Sequence, residues 1–100
     1  MKITIETANG TTTARLEGRL DTPASADAAT QFEQLQAAAA GTVVLDCTDL
    51  SYISSSGLRL FLSLRKAAGA KGGKVVIRNI SDSIRQVFMM TGFLNMFEIQ

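Results

Sequence analysis

The sequence contains no histidine. That excludes Ser–His and Cys–His nucleophile pairs and every metal site built on imidazole. A serine nucleophile would then need a lysine base, and no lysine is placed by motif near a candidate serine. The one cysteine, Cys47, cannot close an internal disulfide, which fits a reducing, cytoplasmic setting. No apolar run approaches the ~20 residues that span a bilayer. The opening MKITIETANG alternates and reads as part of the fold, not as a signal peptide. Charge is sparse, at 19% of residues and a net +1, so nothing favours bulk attraction to nucleic acid or to an anionic membrane. Gly69, Gly72 and Gly73 cluster in KAAGAKGGK, but ahead of a strand. Phosphate-binding loops work by feeding a helix N-terminus, so this one reads as a connector.

What is present is an ordinary globular balance, 46% hydrophobic over 100 residues. That length is one domain, residues 1–100, able to bury a core without metal or disulfide. Lys2–Thr7 and Thr11–Glu17 alternate polar with apolar around Asn9-Gly10, a hairpin signal. Pro23 suits the first position of a helix capped by Asp21 or Thr22 and running to Ala39 or Ala40. Ala28, Phe32, Leu35 and Ala39 form its apolar stripe, and Gly41 is placed to end it as a left-handed cap. Thr42–Cys47 is near-continuously apolar, the pattern of a strand covered on both faces.

A second helix follows, with Leu58, Phe61, Leu62, Leu64, Ala67 and Ala68 over more than half its circumference and Arg59, Ser63 and Lys66 on a polar stripe. Lys74–Ile80 is a strand. Ser81 caps a third helix, which Gly92 ends, and Met96–Ile99 is a short last strand. The order β-β-α-β-α-β-α-β implies a mixed sheet with parallel pairs and right-handed crossovers. Leu45, Leu58, Phe61, Leu62, Val76, Ile84 and Phe88 are the expected core. Met89, Met90 and Phe93 lie off the Ile84–Phe88 stripe. They are expected to fill the lower core, the alternative being an adaptable partner surface.

The chain is organised around Asp46–Lys66, DCTDLSYISSSGLRLFLSLRK. Three serines and a glycine, Ser54–Gly57, join the most apolar strand to the most apolar helix. A helix start offers free N–H groups and a positive dipole end, which suit an anion such as phosphoserine. Serine is also among the preferred helix caps, so capping and a functional hydroxyl both remain open from residue chemistry.

DLSYISSSGLRLFLSLRKAA resembles the signature of the STAS domain, the sulphate-transporter and anti-sigma-factor-antagonist module. GRLDTPAS is similar to the family's Leu-Asp segment before the first helix, and GGKVVIRNISDSIRQVFMMTGFLNMFEI to its closing strand, helix and strand. The resemblance implies an α/β fold, a single STAS-like domain with a mixed sheet of four to five strands and three helices. It also implies a non-enzymatic role, the partner switching of an anti-sigma factor antagonist, with no cofactor. In that scheme the unphosphorylated form binds an anti-sigma factor that is also a serine kinase, and a sigma factor is released. Phosphorylation of a serine ends the binding, and a phosphatase restores it. Nucleic acid and membrane are not direct partners.

Carried across, the phosphoacceptor is Ser55, and Asp21, Ser54, Ser56, Gly57 and Arg59 are the expected partner-binding residues. Ser54 stands where many antagonists have aspartate, which removes one negative charge beside the acceptor. The alternative implied by the same resemblance is an interaction or scaffold module of a signalling or transport complex that is never phosphorylated.

Overall fold

The computed structural model describes residues 1–100. The elements are β1 (Lys2–Ala8), β2 (Thr11–Leu20), α1 (Thr22–Ala37), β3 (Thr42–Ile53), α2 (Ser55–Lys71), β4 (Lys74–Arg78), α3 (Asp82–Thr91), α4 (Phe93–Met96) and β5 (Glu98–Ile99). They form one five-stranded mixed sheet in the order β1-β2-β3-β4-β5. The first pair is antiparallel and the other three are parallel. Asn9 and Gly10 turn the hairpin with φ of 54° and 79°, the positive pair that a type I′ turn requires.

All helices lie on one face. Ala14, Leu16 and Leu20 of β2, Val43, Leu45 and Cys47 of β3, and Val75 and Ile77 of β4 join α1, α2 and α3 in a single core. Through that core runs a row of rings, Phe32–Phe61–Phe88–Phe93–Phe97, with successive centroids 5.3–6.2 Å apart. The opposite face is open and polar, with Lys2, Thr4, Glu6, Thr13, Arg15, Glu17 and Asp46 lining one broad depression. The expectation that β3 is covered on both faces is therefore corrected. Val44 and Val76 are buried on the open face, next to Thr13, Asp46, Lys74, Arg78 and Glu98 in the strand register, and no helix covers them. Long charged side chains can shield apolar neighbours along their stems.

Other expectations need adjustment. The helices number four, because α3 stops at Gly92 (φ 81°) and the chain takes one further turn that buries Phe93. That turn uses Met96, so the last strand is only Glu98–Ile99. α1 ends at Ala37, capped by Ala38 in a non-left-handed conformation. Gly41 is needed for space: a Cβ there would lie 2.5 Å from the Gly10 carbonyl oxygen. α2 buries a narrow stripe, Gly57, Phe61, Leu64 and Ala68, leaving Leu58 half-buried and Leu62 exposed. Met89 and Met90 are 62% and 87% exposed, so they do not fill the lower core; Phe93 does.

Between Arg15↔Asp46 and Leu20↔Ile53 the β2–β3 register slips twice. Glu17 pairs with Asp49, so β3 has advanced three residues to two of β2. Arg19 pairs with Tyr52 after Gly18 with Leu50, so it has advanced two to one. These are bulges in β3, each adding a residue. The two strands still end abreast at Leu20 and Ile53, which puts the next residues, Asp21 and Ser54, side by side.

Candidate phosphoacceptor turn

Asp21 and Ser54 are the N-caps of α1 and α2. The Asp21 carboxylate accepts the Ala24 N–H at 3.0 Å, and its carbonyl accepts the Ser25 hydroxyl at 2.7 Å. Ser54 is tied in three ways. Its backbone N–H donates to the Leu20 carbonyl at 2.9 Å, its hydroxyl donates to the same oxygen at 2.9 Å, and its Oγ accepts the Gly57 N–H at 3.2 Å. The Ser54 carbonyl takes the first intrahelical bond, from Leu58 N–H at 2.9 Å. The start of α2 is thus fastened to the end of β2.

Gly57 completes the fastening by its lack of a side chain. A Cβ there would stand 2.9 Å from side-chain carbons of both Leu20 and Ile53. The helix descends onto the two strand ends only because this position is bare. Ser55 and Ser56 are its first two residues, whose N–H groups have no acceptor within the helix. Ser55 is exposed. Ser56 is half-buried and lines a shallow cavity of about 290 Å³ with Thr22, Ser25, Ala26, Arg59 and Leu60, between the N-terminal ends of α1 and α2. Arg59 is exposed, one helical turn beyond Ser55.

Of the six residues expected at the surface, the structure brings all together on one pole, but Ser54 and Gly57 are buried. They shape the surface from beneath. One exposed pair escaped the sequence reading. The Arg19 guanidinium lies 4.3 Å from the centroid of the Tyr52 ring, at the end of β2 and β3 and next to Leu20 and Ile53. Alternation along β2 marks Arg19 as outward-facing, but the slipped register that sets it over Tyr52 leaves no trace in the sequence.

The electrostatics around β3 are local. Burial drives the Asp46 carboxyl upward, yet hydrogen bonds from the Thr48 hydroxyl and N–H and from Asn79 outweigh it and hold the group below the usual carboxylate range. A hydrogen bond to Asp49 at 2.8 Å, with the charges of Asp49 and Glu17, pushes the Arg15 guanidinium further up. Burial pushes the Cys47 thiol up to about 12, with Asp46 adding to it, so this cysteine is inert packing. The domain shows no cluster of three potential metal ligands, and no helix is long and apolar enough to cross a membrane.

The sequence matches the family pattern of the STAS domain over residues 2–100. This chain belongs to the STAS family. Among curated proteins, BtrV of Bordetella bronchiseptica, named as a candidate anti-sigma factor antagonist, is 36% identical, with 99% of this chain and 85% of that protein covered. Among solved structures, phosphorylated SpoIIAA of Bacillus, described as a cell fate determinant, is 25% identical with a TM-score of 0.75, covering 99% of this STAS domain and 91% of that chain. An anti-sigma factor antagonist of Mycobacterium paratuberculosis shares the fold at a TM-score of 0.85 and 16% identity, with 98% and 83% covered.

Proposed function

We propose that this STAS domain is an anti-sigma factor antagonist that works by partner switching, with Ser55 as its phosphoacceptor. The observation that carries the reading is the placement of Ser55, an exposed hydroxyl at the first residue of α2 on a fastened turn. The name of BtrV and the phosphorylated form of SpoIIAA support it. The unphosphorylated surface around Asp21, Ser55, Ser56 and Arg59 docks an anti-sigma factor that is also a serine kinase. In the modifying step Ser55 Oγ attacks the γ-phosphorus of ATP. A new P–O bond forms, the bond to the ADP leaving group breaks, and the hydroxyl proton goes to a base on the kinase. A phosphatase reverses the state by hydrolysis.

The domain is the substrate of this chemistry, not its catalyst. Arg59 lies one helical turn beyond Ser55, and a guanidinium is not a general base. Phosphate adds about −1.5 to −2 charges. At a helix start these meet free N–H groups, a favourable contact of about 0.3–1 kcal/mol, so the fold survives modification. In a docked interface an unpaired desolvated charge costs several kcal/mol, and about 1.4 kcal/mol is already tenfold in affinity. Incubation with ATP and each candidate anti-sigma kinase of the source genome, read by intact mass and peptide mapping, tests the proposal. One added phosphate on Ser55 is expected, and an unmodified chain with every kinase would refute it. The exposed Met89 and Met90 fit an adaptable partner surface, which a switch or a scaffold can use. The second reading is a scaffold module that is never phosphorylated, and that negative result would select it.

A further inference from the structure

We propose that Ser54 selects the acceptor in this turn, as a positioning residue that withholds its own hydroxyl and presents that of Ser55. This rests on Ser55 being the switch. A serine hydroxyl has one hydrogen to donate. At Ser54 that hydrogen is spent on the Leu20 carbonyl at 2.9 Å, while Oγ accepts the Gly57 N–H at 3.2 Å. The residue is 8% exposed. To attack a phosphorus atom, Oγ would have to leave both partners and open the start of α2. Once phosphorylated, the same oxygen would have no hydrogen to give, and a dianion would face the Leu20 carbonyl oxygen. Modification at Ser54 is opposed in its approach and in its product.

Ser55 stands one residue further, exposed, and its backbone is fixed by the bonds of its neighbour. Ser56 is half-buried in the cavity between α1 and α2. The three consecutive serines are therefore not equivalent, although the sequence presents them as a run. Serine suits position 54 because a single small group must both donate and accept. Threonine keeps both bonds, and alanine keeps neither.

Two measurements test this, one of them without a kinase. In the first, Ser54→Cys, Ser55→Cys and Ser56→Cys proteins are labelled with a thiol reagent. Cys47 is a silent background, being buried with its thiol pushed up to about 12. Labelling of Ser54→Cys is expected to be at least roughly tenfold slower than that of Ser55→Cys, because thiol reactivity follows access. Equal rates would overturn the withheld hydroxyl. In the second, the full chain, Ser54→Ala and Ser54→Thr are incubated with ATP and clarified extract of the source organism, and phosphosites are mapped over time. Wild type is expected to gain phosphate on Ser55 alone. Ser54→Ala should lose Ser55 rate by roughly tenfold, the effect of about 1.4 kcal/mol, and spread phosphate to Ser56, while Ser54→Thr recovers both. A wild-type rate and site pattern in Ser54→Ala would overturn the proposal and leave the switch standing. Phosphate on wild-type Ser54 as well as Ser55 would do the same, and phosphate on Ser54 alone would overturn both. No phosphate on the wild type would overturn the switch and this proposal together.

Discussion

Ser54 and Leu20 meet twice at one oxygen: the Ser54 N–H and the Ser54 hydroxyl each donate to the Leu20 carbonyl at 2.9 Å. Leu20 is the last residue of β2 and Ser54 the cap of α2, so this contact joins elements 34 residues apart in sequence. It sets the turn in place before any partner arrives. In the proposed switch, phosphate on Ser55 then acts by its charge at the rim of the turn, with the fold kept.

Ser55→Ala and Ser55→Asp should separate charge from folding. Ser55 is exposed and its substitution creates no cavity, so both variants should unfold within about 0.5 kcal/mol of wild type. Binding to the kinase partner should be retained by Ser55→Ala and weakened at least about tenfold by Ser55→Asp. Titration calorimetry reads the affinity, and equal affinities would remove Ser55 from the interface.

Gly57→Ala should destabilise the domain by about 1–3 kcal/mol, since the new methyl meets Leu20 and Ile53 at 2.9 Å and both are core residues. Gly69→Ala, in the same helix with no atom within 4 Å, should instead stabilise by about 0.5–1 kcal/mol. Urea unfolding of the pair checks the opposite signs.

Phe61→Ala should cost about 3–5 kcal/mol. Phe61 is fully buried and touches both Phe32 and Phe88 in the aromatic row, so its loss opens a gap between three helices. A loss under about 1 kcal/mol in chemical denaturation would show that the site collapses around the smaller residue.

Acid should act through Asp46. Its folded pKa lies below its unfolded value, so the charged form is favoured in the fold. The stabilisation is in place above the unfolded pKa of about 3.9 and is lost as pH falls through the lower folded value. The expected signature is a melting temperature that drops below about pH 4, with a smaller drop in Asp46→Asn.

Much of the fold was legible because most elements obey a single period. β1, the first half of β2, the apolar stripe of α1 and the hairpin turn follow alternation, helical spacing and turn chemistry directly. β3 is the instructive exception. Its core residues beyond Leu45 are Cys47, Leu50 and Ile53, each three apart after the first, because two bulges interrupt the alternation. A spacing of three resembles a helix more than a strand, so the sequence signal ended at Cys47 while the strand runs on to Ile53. In the site, the resemblance marked the turn and Ser55 within it, but not what buries Ser54 beside it. Ser54 is held there by a hydrogen bond to a strand far away in sequence. The exposure of Leu62, Met89 and Met90 was hidden for a related reason: hydropathy marks an apolar residue, not whether a neighbour is there to cover it.

The paired bulges of β3 also make that strand longer than its neighbour needs. Each takes up one extra residue of β3 against β2, so Cys47, Leu50 and Ile53 all face the core although each is three residues from the last. Deleting Thr48 would remove the first bulge and leave Cys47 and Leu50 two apart, still on one face by plain alternation. Deleting Ser51 would do the same for Leu50 and Ile53. In either case Ile53 would stay beside Leu20, and Ser54 would still fall where the Leu20 carbonyl can receive it. The serine turn is thus held by where the strand ends, and two spare residues upstream of it can be lost without moving it.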